Sequence, residues 1–258
     1  MAIQLMFYQL SANEATDLGL VRKNNEDYLK LLKEDQFFVL ADGMGGHQAG
    51  EIASRVAVEE VCSLFQENQE YFYQSLVTAE QTLGELIREV NAIIFDMGKE
   101  NPNYHGMGTT LCVLFFHSRG LIYGHVGDSR IYRFRKERLE QLTTDHSLLR
   151  ELIDLGQLTD HEAENFLYKN IITRAIGTDP EVDPSIRHTT IEVGDMYLLC
   201  TDGLTDMVPF KQMEEILNQN SETDAVSALM DTAKKNGGFD NITIILVKVN
   251  GKNGPNLP

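Results

Sequence analysis

The sequence predicts an α+β fold in which two antiparallel sheets pack together and pairs of helices cover them on the outside. The first observation is the order of the periodic segments, in which runs of strands alternate with helices. The second is the short connections between the strands of residues 109–142, which favour an antiparallel meander over parallel crossover units. The third is the single apolar stripe of the helices, which suits them to cover a sheet.

The N-terminal half begins with a predicted hairpin. Residues 27–32 and 36–42 are rich in apolar side chains and are separated by a short polar segment. Two amphipathic helices follow, because apolar residues recur at steps of three and four within residues 53–64 and 83–97. Strands are then predicted at residues 109–116, 120–126, 129–135 and 139–142.

The C-terminal half contains an interruption before strands return. Short helices are predicted at residues 147–155 and 159–166, the second with Thr159 as its N-cap and Glu162 completing a capping box. The later elements are predicted strands at 186–193, 196–201 and 242–249 and predicted helices at 210–218 and 222–235.

These elements predict one domain over residues 1–249. Residues 145–178 interrupt the strand pattern and are interpreted as a small excursion beside the main body, within which His146 is expected to form its hydrogen bonds. Residues 250–258 are rich in Gly, Asn and Pro and are predicted to form a disordered tail.

Composition excludes several classes of partner. The formal net charge of −17 argues against binding to nucleic acid or to an anionic membrane surface, since both need clustered Lys and Arg. No apolar run approaches the ~20 residues of a membrane helix, and the N-terminus lacks the pattern of a signal peptide. The three cysteines are scattered, without a C-x-x-C pair, and are expected to be buried and reduced. We therefore expect a cytoplasmic protein.

Four aspartates share one local design. Asp42, Asp128, Asp202 and Asp240 each lie at the end of an apolar strand, next to Gly or Asn. Glycine permits sharp turns and close approach to a ligand, and carboxylates gathered at one edge repel one another unless a cation lies between them. Oxygen ligands suit Mg²⁺ or Mn²⁺. Asp-Gly is also a common turn dipeptide, and spacing does not show that the four converge, so a metal site and a set of turns both remain open at this point.

The ordered motifs resemble those of the 2C-type metal-dependent protein phosphatases, the PPM family. The match runs from about Leu18 to Val249 and, in its short form, resembles the bacterial branch. The motifs that carry the resemblance are Arg22-Lys23-Asn24-Asn25-Glu26-Asp27, Asp42-Gly43-Met44-Gly45-Gly46, Gly108-Thr109-Thr110, Gly127-Asp128-Ser129-Arg130, Asp202-Gly203 and Gly238-Phe239-Asp240-Asn241-Ile242-Thr243.

The resemblance implies a four-layer α-β-β-α sandwich with two divalent cations, Mn²⁺ or Mg²⁺, at one end. It implies that Asp42 bridges the two cations, that Gly43 offers its carbonyl to one of them, and that Asp202 and Asp240 bind the other. The remaining implied metal-site residues are Glu26 and Asp27, one of which holds a metal-bound water, and Asp128, which helps Asp202 to hold a third, weaker cation.

The resemblance also implies residues that act on the substrate. Arg22 would hold the phosphate through a bidentate fork. Many eukaryotic members carry His, a candidate general acid, where this chain has Met44. His47 lies three residues later and is a candidate catalytic and substrate-binding residue, against the alternative of a solvent-facing histidine. The excursion at 145–178 corresponds to the flap of the family.

The implied activity is hydrolysis of phosphoserine and phosphothreonine in proteins by a hydroxide that bridges the two cations. The expected partners are phosphorylated proteins and a cognate serine/threonine kinase, and the chain is expected to be a monomer. An alternative is a catalytically weak or inactive member of the fold that acts as a regulated phosphoprotein-binding module. The presence of Asp42, Asp202 and Asp240 favours the enzyme. An unrelated metal-binding or structural protein is a third reading that the number of motifs disfavours.

Overall fold

A computed structural model describes residues 7–45, 49–159, 162, 166, 168 and 171–253 of the chain. Two antiparallel sheets form its centre. The first has five strands in the order β1 (Tyr8–Asp17), β11 (Ile242–Lys252), β10 (Met196–Cys200), β7 (Arg130–Arg135) and β8 (Arg138–Gln141). The second has the order β2 (Asp27–Leu32), β3 (Phe37–Met44), β5 (Leu111–His117), β6 (Gly120–Val126) and β9 (Ser185–Thr189), and the two-residue β4 (Gly108–Thr109) pairs with β3.

Helices lie outside the sheets. Those with described bounds are α1 (Ala49–Glu67), α2 (Gln69–Phe72), α3 (Leu76–Glu100), α4 (Leu148–Asp154), α5 (Asp202–Thr205), α6 (Phe210–Gln219) and α7 (Glu222–Lys235). None of the helices in the described ranges is long and apolar enough to cross a bilayer.

Three apolar clusters separate four layers. On β3, Phe37 and Val39 face the helices α1 and α3, where Phe37 stacks on Phe65 with ring centroids 4.0 Å apart. Phe38 and Leu40, the alternate residues of the same strand, face the other sheet. A third cluster joins the outer face of the five-stranded sheet to α6 and α7. The fold is therefore the α-β-β-α sandwich that the sequence predicts, and Cys62, Cys112 and Cys200 are buried and free, as predicted.

The first strand is the main element that the sequence pattern misses. Residues 8–17 are mostly polar and carry a weak strand signal, but they form β1 because the long apolar β11 offers its edge as a partner. Tyr8 pairs with Lys252. The prediction of a disordered tail from residue 250 is therefore wrong for residues 250–252, which are strand, and residues 254–258 lie outside the described part of the chain.

The excursion at 145–178 is partly described. Ser147 caps α4 by accepting from the Arg150 N–H at 3.4 Å. The predicted capping box is present, since the Thr159 N–H donates to the Glu162 carboxylate at 2.9 Å and the Glu162 N–H donates to the Thr159 hydroxyl at 3.4 Å. Most of the helix that this box would begin lies outside the described residues, and the treatment of the segment as a flap remains a prediction.

Candidate metal centre

Strand pairing brings the acidic motifs to one end of the sandwich. Asp27 at the start of β2 is the register partner of Asp42 near the end of β3. In the other sheet, Cys200 pairs with Arg130 on one side and Ile244 on the other. Because these residues lie next to the other three acidic motifs in sequence, all the motifs meet at the same end.

A cleft of about 360 Å³ opens at this end. Seven of the nine predicted site residues line it, namely Arg22, Glu26, Asp42, Gly43, Asp128, Asp202 and Asp240. The other lining residues are Met44, Gly45, Ile172 and Asn241. The eighth predicted residue, Asp27, is not among the lining residues, and the ninth, His47, lies outside the described residues.

Asp27 lies beneath the cleft. Its side chain is buried, and Oδ2 accepts a hydrogen bond from the Thr201 hydroxyl at 2.9 Å. Burial raises its pKa to about 6. Of the two acidic residues in the N-terminal motif, Glu26 is therefore the one that lines the cleft, whereas Asp27 is buried beneath it with its Oδ1 unpartnered among the described residues.

The carboxylates of the cleft repel one another. The pKa of Asp42 is raised well above its ordinary value, first by burial and then by the charges of Asp27, Asp202, Asp128 and Asp240. Burial, followed by the charge of Asp128, raises the pKa of Asp202 to about 8. Burial also raises the pKa of Asp128 to about 6, with Asp145 the next cause. A cation between these groups would offset the repulsion.

The residues fit divalent cations in their chemistry. The buried Oδ1 of Asp202 has no hydrogen-bond partner among the described residues, as a group that awaits a ligand would. Within the same residues, no group of three or more His, Cys, Asp and Glu side chains is already arranged to hold a metal ion. The shared cleft and the unpartnered oxygen nevertheless fit a cation site, because carboxylates of like charge repel one another when no cation lies between them.

Two threonines fix the backbone of Asp42. The Asp42 N–H donates to the Thr110 hydroxyl at 2.9 Å. The Asp42 carbonyl accepts from the Thr109 hydroxyl and from the Thr110 N–H, both at 2.8 Å. The Thr110 hydroxyl also contacts the hydroxyl of Ser129 at 2.8 Å, next to Asp128. The Gly108-Thr109-Thr110 motif, to which sequence reasoning gave no role, thus positions Asp42.

The glycines beside the aspartates permit close backbone crossings. Neither Gly43 nor Gly203 has a positive φ, so turn formation is not what they supply. A Cβ at Gly43 would overlap the carbonyl of Gly50 at the start of α1, and a Cβ at Gly203 would overlap the carbonyl of Asn241. At both glycines the close approach is made by a second backbone segment, and the predicted approach to a ligand remains a prediction.

Asn241 joins three segments of the site. Its Nδ2 donates to the carbonyls of Leu18 and Asn24, both at 3.0 Å. Its Oδ1 accepts from the Glu26 N–H at 2.8 Å. The sequence analysis includes Asn241 in a motif but predicts no role for it. Its only signal in the sequence is the Asp240-Asn241 pair directly before β11.

Arg22 lies at the rim of the cleft. Its Nη2 donates to Asp240 Oδ2 at 2.6 Å, and about half of the side chain, 51%, is exposed. The guanidinium is thus held beside the carboxylates while it keeps donors free to meet an anion from solvent.

The side chain of His146 departs from the prediction that its hydrogen bonds stay within the excursion, whereas the His146 carbonyl accepts from the Thr173 N–H at 2.9 Å inside it. Its Nδ1 accepts from the Gly127 N–H at 3.2 Å, and its Nε2 lies 3.0 Å from the Ser185 hydroxyl, both outside residues 145–178. The ring stacks on His125, with centroids 4.5 Å apart. Burial lowers the pKa of His146 to about 3, so the ring is neutral and supports the turn before Asp128.

Comparison with known proteins identifies the family of the chain. The protein phosphatase 2C family model matches residues 21–238. Protein phosphatase PhpP of Streptococcus pneumoniae is 39% identical over 239 residues, which cover 91% of this chain and 96% of that protein. Serine/threonine phosphatase stp of Listeria innocua is 36% identical over 248 residues, which cover 93% and 96%.

A solved structure shares the fold over nearly the whole chain. It is the catalytic domain of the serine threonine protein phosphatase PstP in complex with two manganese ions. It has a TM-score of 0.81 and 34% identity, and the alignment covers 93% of this chain and 98% of that one. The chain therefore belongs to the protein phosphatase 2C family, as a serine/threonine protein phosphatase of the bacterial type.

Proposed function

We propose that the cleft hydrolyses phosphoserine and phosphothreonine in proteins with the help of two divalent cations, Mn²⁺ or Mg²⁺. The observation that carries the proposal is the gathering of five carboxylates around one cleft of about 360 Å³ with an arginine at its rim. Acidic pockets of this kind bind hard cations through oxygen, and phosphate monoesters need those cations and a cationic side chain to offset their charge.

The placement of the side chains supports a division of ligands. Asp42, whose pKa responds to the charges of four other aspartates, is the ligand proposed to be shared between both cations. Glu26 and the Gly43 carbonyl lie on its β2–β3 side, where the Gly43 N–H donates to the Glu26 carbonyl at 3.0 Å. Asp202 and Asp240 would hold the second cation.

A third, weaker site is proposed at Asp128. The pKa of Asp202 is raised first by burial and next by the charge of Asp128, so the two carboxylates repel each other. Both also line a second cavity of about 180 Å³ that adjoins the cleft.

The chain's own residues would bind and orient the phosphorylated side chain. Divalent cations, when bound, would supply activation of a water and neutralisation of the phosphoryl charge. Arg22 would present its fork to the phosphate oxygens. No Ser, Cys or His is found among the lining residues within the described part of the chain, which supports direct attack by water rather than a covalent intermediate on such a side chain.

The physiological role proposed is to remove the phosphate groups that a serine/threonine kinase adds to proteins in a bacterium. His47, which lies outside the described residues, remains a candidate for the general acid that protonates the leaving hydroxyl. The alternative, a regulated phosphoprotein-binding module, would bind a phosphopeptide without turnover. Turnover is therefore the observation that separates the two.

The test is phosphate release from a phosphothreonine peptide by the purified chain, with Mn²⁺ and with excess chelator. We expect release only with the cation, and its loss in Asp202→Ala. Asp231→Ala, at an exposed position of α7, is the matched control and should retain activity. A folded protein that binds the peptide but releases no phosphate with either Mn²⁺ or Mg²⁺ would favour the binding module.

A further inference from the structure

Three large apolar side chains project into solvent beside the cleft. Leu20 is 63% exposed, Val21 59% and Phe239 60%. They come from two segments that run next to each other, and we call them the apolar shelf. Val21 immediately precedes Arg22, and Phe239 immediately precedes Asp240, so the shelf continues directly into the cleft rim.

The shelf is fixed in place by a pair of glycines. The Leu20 N–H donates to the Gly238 carbonyl at 2.7 Å. A Cβ at Gly238 would come within 3.1 Å of Leu20 Cγ, and one at Gly237 within 2.6 Å of the Phe239 ring. Each of the two side chains therefore lies close to the bare backbone of one glycine, and the hydrogen bond holds the Leu20 backbone beside the segment that carries Phe239.

We propose that the apolar shelf binds an apolar side chain of the substrate protein, one to three residues away from the phosphorylated serine or threonine. This inference rests on the proposed function, because it takes the phosphate to be seated at Arg22. Leu20 is two residues from Arg22, so their Cα atoms are within about 7 Å. An extended peptide covers the same distance in about two residues.

The observations favour a substrate segment over other occupants. The substrate of a protein phosphatase is a polypeptide, and with its phosphate in the cleft its neighbouring residues must cross the rim. The shelf is uncharged and Phe239 directly precedes Asp240, while the whole chain carries a net charge of −17, which disfavours an anionic lipid surface. A second copy on the shelf would cover Arg22 and compete with substrate.

The test uses phosphothreonine peptides that differ only by Leu or Ala at each of the three positions on either side of the phosphothreonine. With Mn²⁺, we expect kcat/KM to be about tenfold higher for Leu at one or two positions, the discrimination that an apolar pocket gives. In Leu20→Ser and in Phe239→Ser this preference should fall below about twofold. Each variant's turnover of the all-alanine peptide reports whether its site is intact.

Val193→Ser is the matched control. Val193 is 63% exposed, and the neighbouring Gly194 N–H bonds to Val249 near the far end of β11. This variant should keep the tenfold preference. An enzyme that turns over all the peptides without preference for Leu at any position would overturn the proposal about the shelf and leave the proposed function standing. A preference for Leu that survives both shelf substitutions would have the same consequence. Self-association that Leu20→Ser abolishes would also overturn it, in favour of a second copy.

Discussion

Asp202→Asn is predicted to stabilise the metal-free protein while it abolishes cation-dependent turnover. Asp202 lies at the edge of a cluster of like charges, and its buried Oδ1 has no hydrogen-bond partner among the described residues. Without a cation this group is a source of repulsion, and with a cation it is a ligand. An amide of the same shape removes the repulsion and the ligand together, so stability and activity should change in opposite directions.

The magnitude follows from the raised pKa of Asp202. The rise from 3.8 to about 8 corresponds to a ceiling of about 5 kcal/mol for holding the ionised carboxylate in the folded protein at pH 8. The cleft is open to water, which screens the charges, so we expect the free energy of unfolding to increase by about 2 kcal/mol. Because the folded pKa lies above the unfolded one, the wild-type protein itself gains stability as pH falls from 8 towards 4. The increase in the free energy of unfolding that Asp202→Asn produces should therefore be smaller by nearly half at pH 6 than at pH 8.

The assay is urea unfolding in chelator at pH 8 and pH 6, followed by phosphate release with Mn²⁺. Asp231→Asn, on the exposed face of α7, should change the free energy of unfolding by less than about 0.5 kcal/mol. An Asp202→Asn protein that is no more stable than wild type at pH 8, or that gains equally at both pH values, would refute the reasoning about the acidic cluster.

Three further substitutions test the supports of the site. Thr110→Val removes the hydroxyl that accepts from the Asp42 N–H, so it should lower the free energy of unfolding by about 1–3 kcal/mol and reduce kcat. Unchanged thermal unfolding and unchanged turnover would show that other contacts position Asp42. Gly203→Ala should lower the free energy of unfolding by about 3 kcal/mol or more, because its Cβ would overlap the Asn241 carbonyl. An unchanged melting temperature would contradict this prediction. Arg22→Lys should raise the KM of a phosphothreonine peptide about tenfold at similar stability, the equivalent of one charge-assisted hydrogen bond, and an unaltered KM would remove Arg22 from phosphate binding.

The sheets and helices could largely be predicted from the sequence, because their apolar patterns are strong and local. β3 has both faces buried, and its continuous apolar run predicts a strand. β1 could not be found in the same way. Its polar sequence becomes a strand only through pairing with β11, whose partner residues lie more than 220 positions away in the chain.

The candidate site divides in the same manner. Aspartates at strand ends, beside glycine, are visible in the sequence, but their meeting at one cleft depends on strand order, which only the family resemblance supplied. The difference between Glu26 at the cleft and Asp27 beneath it depends on which face of the β2 start each residue occupies. The role of Gly203 was also hidden, since the carbonyl that it must pass belongs to Asn241, a residue distant in sequence.

The central claim is that the acidic cleft holds the divalent cations on which hydrolysis depends. The most direct measurement is anomalous diffraction at the manganese edge from crystals of the chain grown with Mn²⁺, together with turnover by the same preparation. The account predicts at least two peaks in the cleft, with the Asp42 carboxylate between them and Asp202 and Asp240 beside one. An active preparation whose manganese peaks lie elsewhere, or contact none of these carboxylates, would contradict it.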